Sequence, residues 1–186
     1  MIIDIFSRYC VGWTVKEREN AHVATALIKH AVSTQKIERD RLTVHADRGS
    51  SMRSKPVAFL LADLGISKSH SRPYTSTDNP FSEAMFKTTK YRPEFPDRFG
   101  TLQEATAFFR QFIDWYNNQH RHSGIGMMTP AAMHSGKAPE IRCKRAAVLE
   151  AAYRANPERF VKGLPVPHKL PTAVWINKPE EAAVVS

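Results

Sequence analysis

Two short apolar runs, Ile2-Ile3 with Ile5-Phe6 and then Tyr9 to Trp13, flank Ser7-Arg8 and predict a β-hairpin over residues 1–15. From residue 20 to 34 the period changes. Val23, Leu27 and Ala31, with Ala24, Ile28 and Val32 beside them, recur at helical spacing and predict an amphipathic helix. Arg41 to Ala46 reads as a short buried strand that delivers Asp47, and residues 55–64 as a helix stopped by Gly65, which suits a left-handed cap. Residues 66–70 predict another short strand. Arg72 to Asp78 is rich in Pro, Thr and Ser and predicts a mobile loop, after which Asn79 can cap a helix that has Pro80 in its first turn. A longer helix is predicted from Thr101 to about His120. It carries a Thr101/Glu104 capping box and a stripe of Leu102, Ala105, Phe109, Phe112 and Tyr116 that is assigned to the core. Thr129-Pro130 opens a short helix ending near Gly136, a further helix covers about 139–155, and Pro165, Pro167 and Pro171 make residues 164–171 an extended arm. Strands alternating with helices suit an α/β layer fold.

Composition narrows the partners. With 27 Lys and Arg against 18 Asp and Glu, a formal charge of +9 gives the surface affinity for phosphate backbones. Much of the excess lies late in the chain, where residues 137–170 hold eight Lys or Arg and three Glu. Cys10 and Cys143 form neither a disulfide framework nor zinc-ligand spacing, which fits a reducing compartment. The longest apolar run, Val57 to Ala62, is far short of the roughly 20 residues of a membrane helix, and no basic segment precedes an apolar one at the start. A cytoplasmic protein without a membrane partner is expected.

The chemistry centres on two acids. Asp47 follows an apolar run in Val44-His45-Ala46-Asp47-Arg48-Gly49-Ser50, and Glu83 ends Asp78-Asn79-Pro80-Phe81-Ser82-Glu83, with 35 residues between them. Carboxylates brought together from a strand end and a helix can hold divalent cations that polarise a phosphodiester. Glu83, Lys87 and Lys90 stand at i, i+4 and i+7 and so share a helix face. Elsewhere such a stripe is a solvated salt-bridged surface; beside a metal-binding acid it faces DNA. His45 reads equally as a site residue or a half-buried strand residue. His120 and His122 lack partners at zinc-ligand spacing, and Ser50 and Ser82 have no His/Asp relay.

Five segments in order resemble the catalytic core of insertion-sequence transposases of the DDE, retroviral-integrase-like type. They are Asp4 to Tyr9 with Val11-Gly12-Trp13; His45 to Ser50; Asp78 to Glu83 with Phe86-Lys87-Thr88 and Lys90-Tyr91; Trp115-Tyr116-Asn117 with His120-Arg121-His122; and Thr129-Pro130. The resemblance implies an RNase H-like three-layer fold, a mixed sheet with helices on both faces. It makes residues 1–136 the catalytic core and 137–186 a basic C-terminal helix and extended tail. It implies metal-dependent DNA strand cleavage and strand transfer, with Asp47 and Glu83 as catalytic residues and ligands of two Mg²⁺ or Mn²⁺ ions. Lys87, Lys90 and Arg48 would then contact DNA, and the chain would form a homo-oligomer on transposon ends and target.

The family's first catalytic Asp lies on a strand preceding the one that reads Ile2 to Phe6. The expectation is therefore a core lacking its first strand, with Asp4 as a structural residue that caps the turn or pairs with Arg8. Two carboxylates should bind two metals poorly, so a crippled or inactive nuclease is expected, with an exposed sheet edge open to pairing. A working enzyme with the strand supplied upstream is one alternative. The other is a non-catalytic DNA-binding or subunit-poisoning remnant that interferes with full-length transposase.

Overall fold

The hairpin expected at the start forms around Asp4. In the computed structural model, which describes residues 1–72, 75 and 78–177, β1 (Ile2–Ile3) pairs with β2 (Cys10–Gly12). The turn closes through Asp4 N donating to Tyr9 O at 2.9 Å and Arg8 N donating to Asp4 O at 2.8 Å. Helix α1 (Ala21–Gln35) follows, its first turn capped by the Asn20 side chain, which accepts from Val23 N at 2.9 Å. Its other end is Lys36 at φ 52°, a left-handed cap without glycine. A methyl group at Gly12 would lie 3.3 Å from Leu27 Cδ1 and 3.4 Å from Ala31 Cβ, so β2 approaches α1 closely where the chain has no side chain.

Strands β3 (Thr43–Ala46) and β4 (Ser67–His70) pair in parallel, Thr43 opposite Ser67 and Ala46 opposite His70, with α2 (Lys55–Asp63) as the crossover. Gly65, at φ 64°, ends that crossover. A Cβ there would sit 2.5 Å from both Arg39 Cγ and Asp40 Oδ1, so the expected glycine stop is also a steric requirement. Ile28, Val57, Leu60, Leu61 and Ile66 form the core beneath, with Ile2, Leu42 and Val44 partly buried against it. The expectation of a short buried strand before Asp47 is corrected: Thr43 is exposed and Val44, His45 and Ala46 are half-buried. Among the described residues β3 has a paired neighbour on one edge, and the β1–β2 hairpin forms a separate sheet.

Helix α3 (Pro80–Lys90) begins as expected at Asn79, but the Asn79 side chain makes no capping bond. Its ψ of 48° departs from the extended backbone of side-chain-capped helices such as α1, where Asn20 has ψ 167°. Helix α4 (Leu102–Asn118) has the expected Thr101 cap, with Glu104 N donating to Thr101 Oγ1 at 3.1 Å. The reciprocal bond is shifted by one residue, since Glu104 Oε2 accepts from Gly100 N at 2.9 Å rather than from Thr101. Residues 73, 74, 76 and 77 of the loop expected over 72–78, and 178–186 of the tail, lie outside the described residues.

The chain divides into two compact units. One holds Met1–Ile3, Val11–Phe109 and the described end of the chain from Trp175; the other holds Asp4–Cys10 and Arg110–Val174. In the second, Phe112, Trp115, Tyr116, His120 and His122 form a continuous set of ring contacts. Asn117 completes Cys10 as a neighbouring peptide would: Oδ1 accepts from Cys10 N at 2.9 Å and Nδ2 donates to Cys10 O at 3.2 Å. The short helix α5 (Pro130–His134) and the long α6 (Ala138–Ala155) follow. Residues 164–171 carry no helix or strand, yet Leu170 packs against Ile125, Met128, Met133 and Ala138. Arg142 Nε donates to His168 O at 3.1 Å, and Arg145 donates to the Gly126 and Met127 carbonyls, so part of the late basic charge holds carbonyls of its own unit.

Candidate functional site

Asp47 stands one residue beyond the end of β3, where the strand opens into a turn, and its side chain is exposed. Its Oδ1 accepts from Gly49 N at 3.1 Å, which fixes the carboxylate against the turn and leaves Oδ2 as the oxygen not used there. The parallel pairing with β4 frames the acid. His70 Nδ1 lies 3.2 Å from Ala46 O and 3.0 Å from Asp47 O. His45 spans Ser69 Oγ at 2.9 Å and Ser71 Oγ at 3.2 Å, one through each ring nitrogen, which supports its reading as a structural strand residue. Arg48 Nε donates to Ser71 O at 3.1 Å.

Glu83 occupies the first turn of α3 and is exposed, its backbone N donating to Asn79 O at 3.2 Å. Lys87 and Lys90 are exposed one and two turns further along, on the expected face, while Met85 and Thr89 bury the opposite one. The junction that sets α3 is Asp78, only 1% exposed. Its Oδ2 accepts from Arg72 N at 2.8 Å and Arg72 Nε at 2.9 Å, and its Oδ1 accepts from Arg72 Nη2 at 2.9 Å and Asn177 Nδ2 at 2.9 Å. Those bonds, the Arg72 guanidinium first, hold the Asp78 carboxyl far below its ordinary range. The end of β4 is thereby tied to the start of α3, five residues before Glu83.

Asp4 caps the turn, one of the two structural roles expected for it. Oδ1 accepts from Phe6 N at 3.0 Å, and Oδ2 takes the Ser7 hydroxyl and lies 3.2 Å from His134 Nδ1, while His134 stacks on Tyr9 with centroids 4.5 Å apart. Burial raises the Asp4 carboxyl, and the bonds from Ser7, Phe6 and His134 outweigh it and leave its pKa lowered. Asp, Ser and His meet here, but Ser7 Oγ and Asp4 Oδ2 both address the same His134 nitrogen, so no proton relay runs through the ring. His122 is pushed down to about 4, by burial first and then by His120 and Arg8.

Sequence reasoning missed Glu19. A methyl group built on Gly49 would lie 3.1 Å from Asp47 Oδ1 and 3.5 Å from Glu19 Oε1, so both carboxylates border one glycine. Nothing in the spacing of Glu19 signals this; the link is made by the turn after β3. Carboxylates suit a hard divalent cation in kind. They fall short in number, because among the described residues no three His, Cys, Asp or Glu side chains gather as a cation site.

Two family models described as integrase core domain match the chain, one over residues 1–76 and the other over 64–130. The transposase for insertion sequence element IS904 of Lactococcus lactis is 31% identical over 129 residues, 69% of this chain and 51% of that protein. An uncharacterized 31 kDa protein of insertion element IS600 from Shigella sonnei is 29% identical, with 70% of this chain and 48% of that protein covered. Transposase InsF of an IS3 element of Escherichia coli is 28% identical, with 70% and 45% covered. The chain thus spans about half the length of these relatives. Among solved structures, the catalytic core domain of BIV integrase aligns at a TM-score of 0.49 and 20% identity, over 69% of this chain and 80% of that one. No described helix is long and apolar enough to cross a membrane.

Proposed function

We propose that this chain, matched by integrase core domain models over residues 1–76 and 64–130, is a core of the insertion-sequence transposase kind with an RNase H-like α/β fold, and that it acts on DNA at the ends of a mobile element through Asp47 and Glu83. The observation that carries this reading is the site's construction. An exposed acid at the end of a parallel strand and an exposed acid in a helix first turn lie in one compact unit, with Lys87 and Lys90 continuing the helix face. Asp47 and Glu83 are the residues that would hold Mg²⁺ or Mn²⁺. Such ions, when bound, polarise the phosphodiester and lower the pKa of the attacking hydroxyl.

The chain's own residues do the rest. Lys87 and Lys90 hold phosphates on either side of the reacting one, and Arg48 takes a third, which fixes the strand's register without reading its sequence. The Arg72–Asp78 pair keeps α3, and with it Glu83, in place. Two carboxylates give a divalent ion few of the six or more oxygens it takes, so cleavage by this chain alone is slow beside its DNA binding. Transposon ends and target DNA are the partners, met as a homo-oligomer, and the cytoplasm, where bacterial DNA lies, is the location.

The test uses labelled duplexes bearing the element's ends, with Mg²⁺ or Mn²⁺, and compares the chain with Glu83→Gln and with the double variant Lys87→Ala/Lys90→Ala. Weak metal-dependent nicking abolished by Glu83→Gln, and binding lost in the lysine variant, are expected. Nicking indifferent to Glu83→Gln, or binding indifferent to the lysines, would sink the assignment. A second reading, interference with full-length transposase by binding alone, is favoured by the charge of +9. It predicts that Asp47→Ala and Glu83→Ala leave the interference intact; loss of interference in either variant excludes it.

A further inference from the structure

Helix α3 carries two aromatic rings that the fold does not use. Phe86 is 50% exposed and Tyr91, at the helix end, is 83% exposed. The helix is already anchored without them, since Met85 and Thr89 are buried at 1% and 2%. Glu83, Phe86, Lys87, Lys90 and Tyr91 stand at i, i+3, i+4, i+7 and i+8, which is one continuous stripe of an α-helix. A large apolar ring held in water forgoes the stabilisation that burial would give it. Here two such rings flank two lysines on the face that bears the acid.

We propose that this stripe is a stacking platform for unpaired DNA bases, with Phe86 and Tyr91 receiving the bases and Lys87 and Lys90 holding the phosphates between them. The proposal rests on the DNA reading above and narrows its substrate to DNA that is single-stranded or frayed beside the reacting phosphate. Bases inside a duplex already stack on one another and offer no face to a side chain; an unpaired base offers both, and an aromatic ring accepts any base. Positive charge selects the nucleic acid over an apolar partner, because a second protein would have to bury two ammonium groups to cover the rings.

The spacing fits. Five residues of helix separate Phe86 from Tyr91, about 7.5 Å of rise, roughly two nucleotides at about 3.4 Å each. Glu83 lies about 4.5 Å of rise before Phe86, on the order of one nucleotide, so the first stacked base is the neighbour of the phosphate at the acid. The platform therefore takes two bases on one side of the cleavage position.

Fluorescence anisotropy of the full chain with a short single strand, a frayed duplex and a blunt duplex tests this, with 2-aminopurine placed in turn at each base near the end. The wild type is expected to prefer the first two ligands and to quench the probe at two positions about two nucleotides apart. Phe86→Ala and Tyr91→Ala should each lower single-strand affinity about 5-fold to 100-fold while leaving blunt-duplex affinity unchanged. Phe86→Trp and Tyr91→Phe should restore it, and circular dichroism of each variant confirms folding. Equal loss on duplex and single strand, or no loss on either, overturns the platform. Dissociation of a dimer by the alanine variants in sedimentation, without change in DNA affinity, also overturns it and assigns the rings to a second copy. Binding confined to duplex overturns the platform alone, whereas absence of binding to any DNA overturns the functional reading beneath it.

Discussion

Helices α3 and α4 are both rich in aromatic and charged residues, and they spend them in opposite ways. In α4, Phe112 and Tyr116 are each 2% exposed, Ile113 is 5% exposed, and Gln103, Glu104, Arg110, Gln111, Asp114 and Asn118 face out, with Asn117 alone of its amides and charged residues buried. In α3 Met85 and Thr89 go inward while Phe86 and the lysines face out. An aromatic residue at helical spacing is therefore no guide to its role until its exposure is known. What marks α3 is the conjunction of rings, cations and an acid on one solvent-facing stripe, whereas α4 shows the ordinary amphipathic arrangement.

The comparison breaks most easily at Phe112. Phe112→Ala removes a fully enclosed ring and should cost about 3–5 kcal/mol, seen as a fall in Tm of roughly 10 °C or more in thermal melts. A loss comparable to that of a surface substitution would mean that the α4 stripe is not core.

A second, pH-dependent effect belongs to the α4 side. His122, in ring contact with Tyr116, has its folded pKa lowered to about 4 from an ordinary 6.5. Below pH 6.5 the unfolded chain takes up a proton that the folded chain refuses until about pH 4. Stability from this group is therefore complete above pH 6.5 and declines as the pH falls toward 4. Melts across that window should show the decline in the wild type and a flatter profile in His122→Gln; identical profiles would remove His122 as the cause.

The smallest effect is expected on the other helix. Phe86→Ala and Tyr91→Ala should shift stability by no more than about 0.5 kcal/mol, since surface substitutions away from special features do little. A larger loss in urea unfolding would show that these rings are structural and would erase the contrast.

Much of this arrangement was legible in the sequence because it is local. The Thr101 cap, the Gly65 stop, Asp47 beyond a strand and Glu83 in a first turn all depend on neighbours within a few positions. What stayed hidden depends on distance along the chain. His134 meets Asp4 and Ser7 across about 130 residues, and Asn177 reaches Asp78 across 99. Glu19 comes beside Asp47 only because the turn at Gly49 lies between them. Asn79 failed as a side-chain cap because Asp78, one residue earlier, is held by Arg72 and sets the backbone of the junction. The half-burial of β3 was legible as well, since Leu42, Val44 and Ala46 alternate with Arg41, Thr43 and His45, and a period of two marks a strand buried on one face.

The amide of Asn117 has a consequence for the chain as a polymer. By clasping both backbone groups of Cys10 it closes a non-covalent ring 107 residues around, against the 24 that separate paired positions of β3 and β4. Closing the larger ring costs about 1 kcal/mol more in chain entropy, so it follows the smaller one more readily than it precedes it. The last residue of Trp115-Tyr116-Asn117 thus acts as the buckle of its own compact unit. It must be an amide, because only an amide side chain can give and take a hydrogen bond as a peptide does.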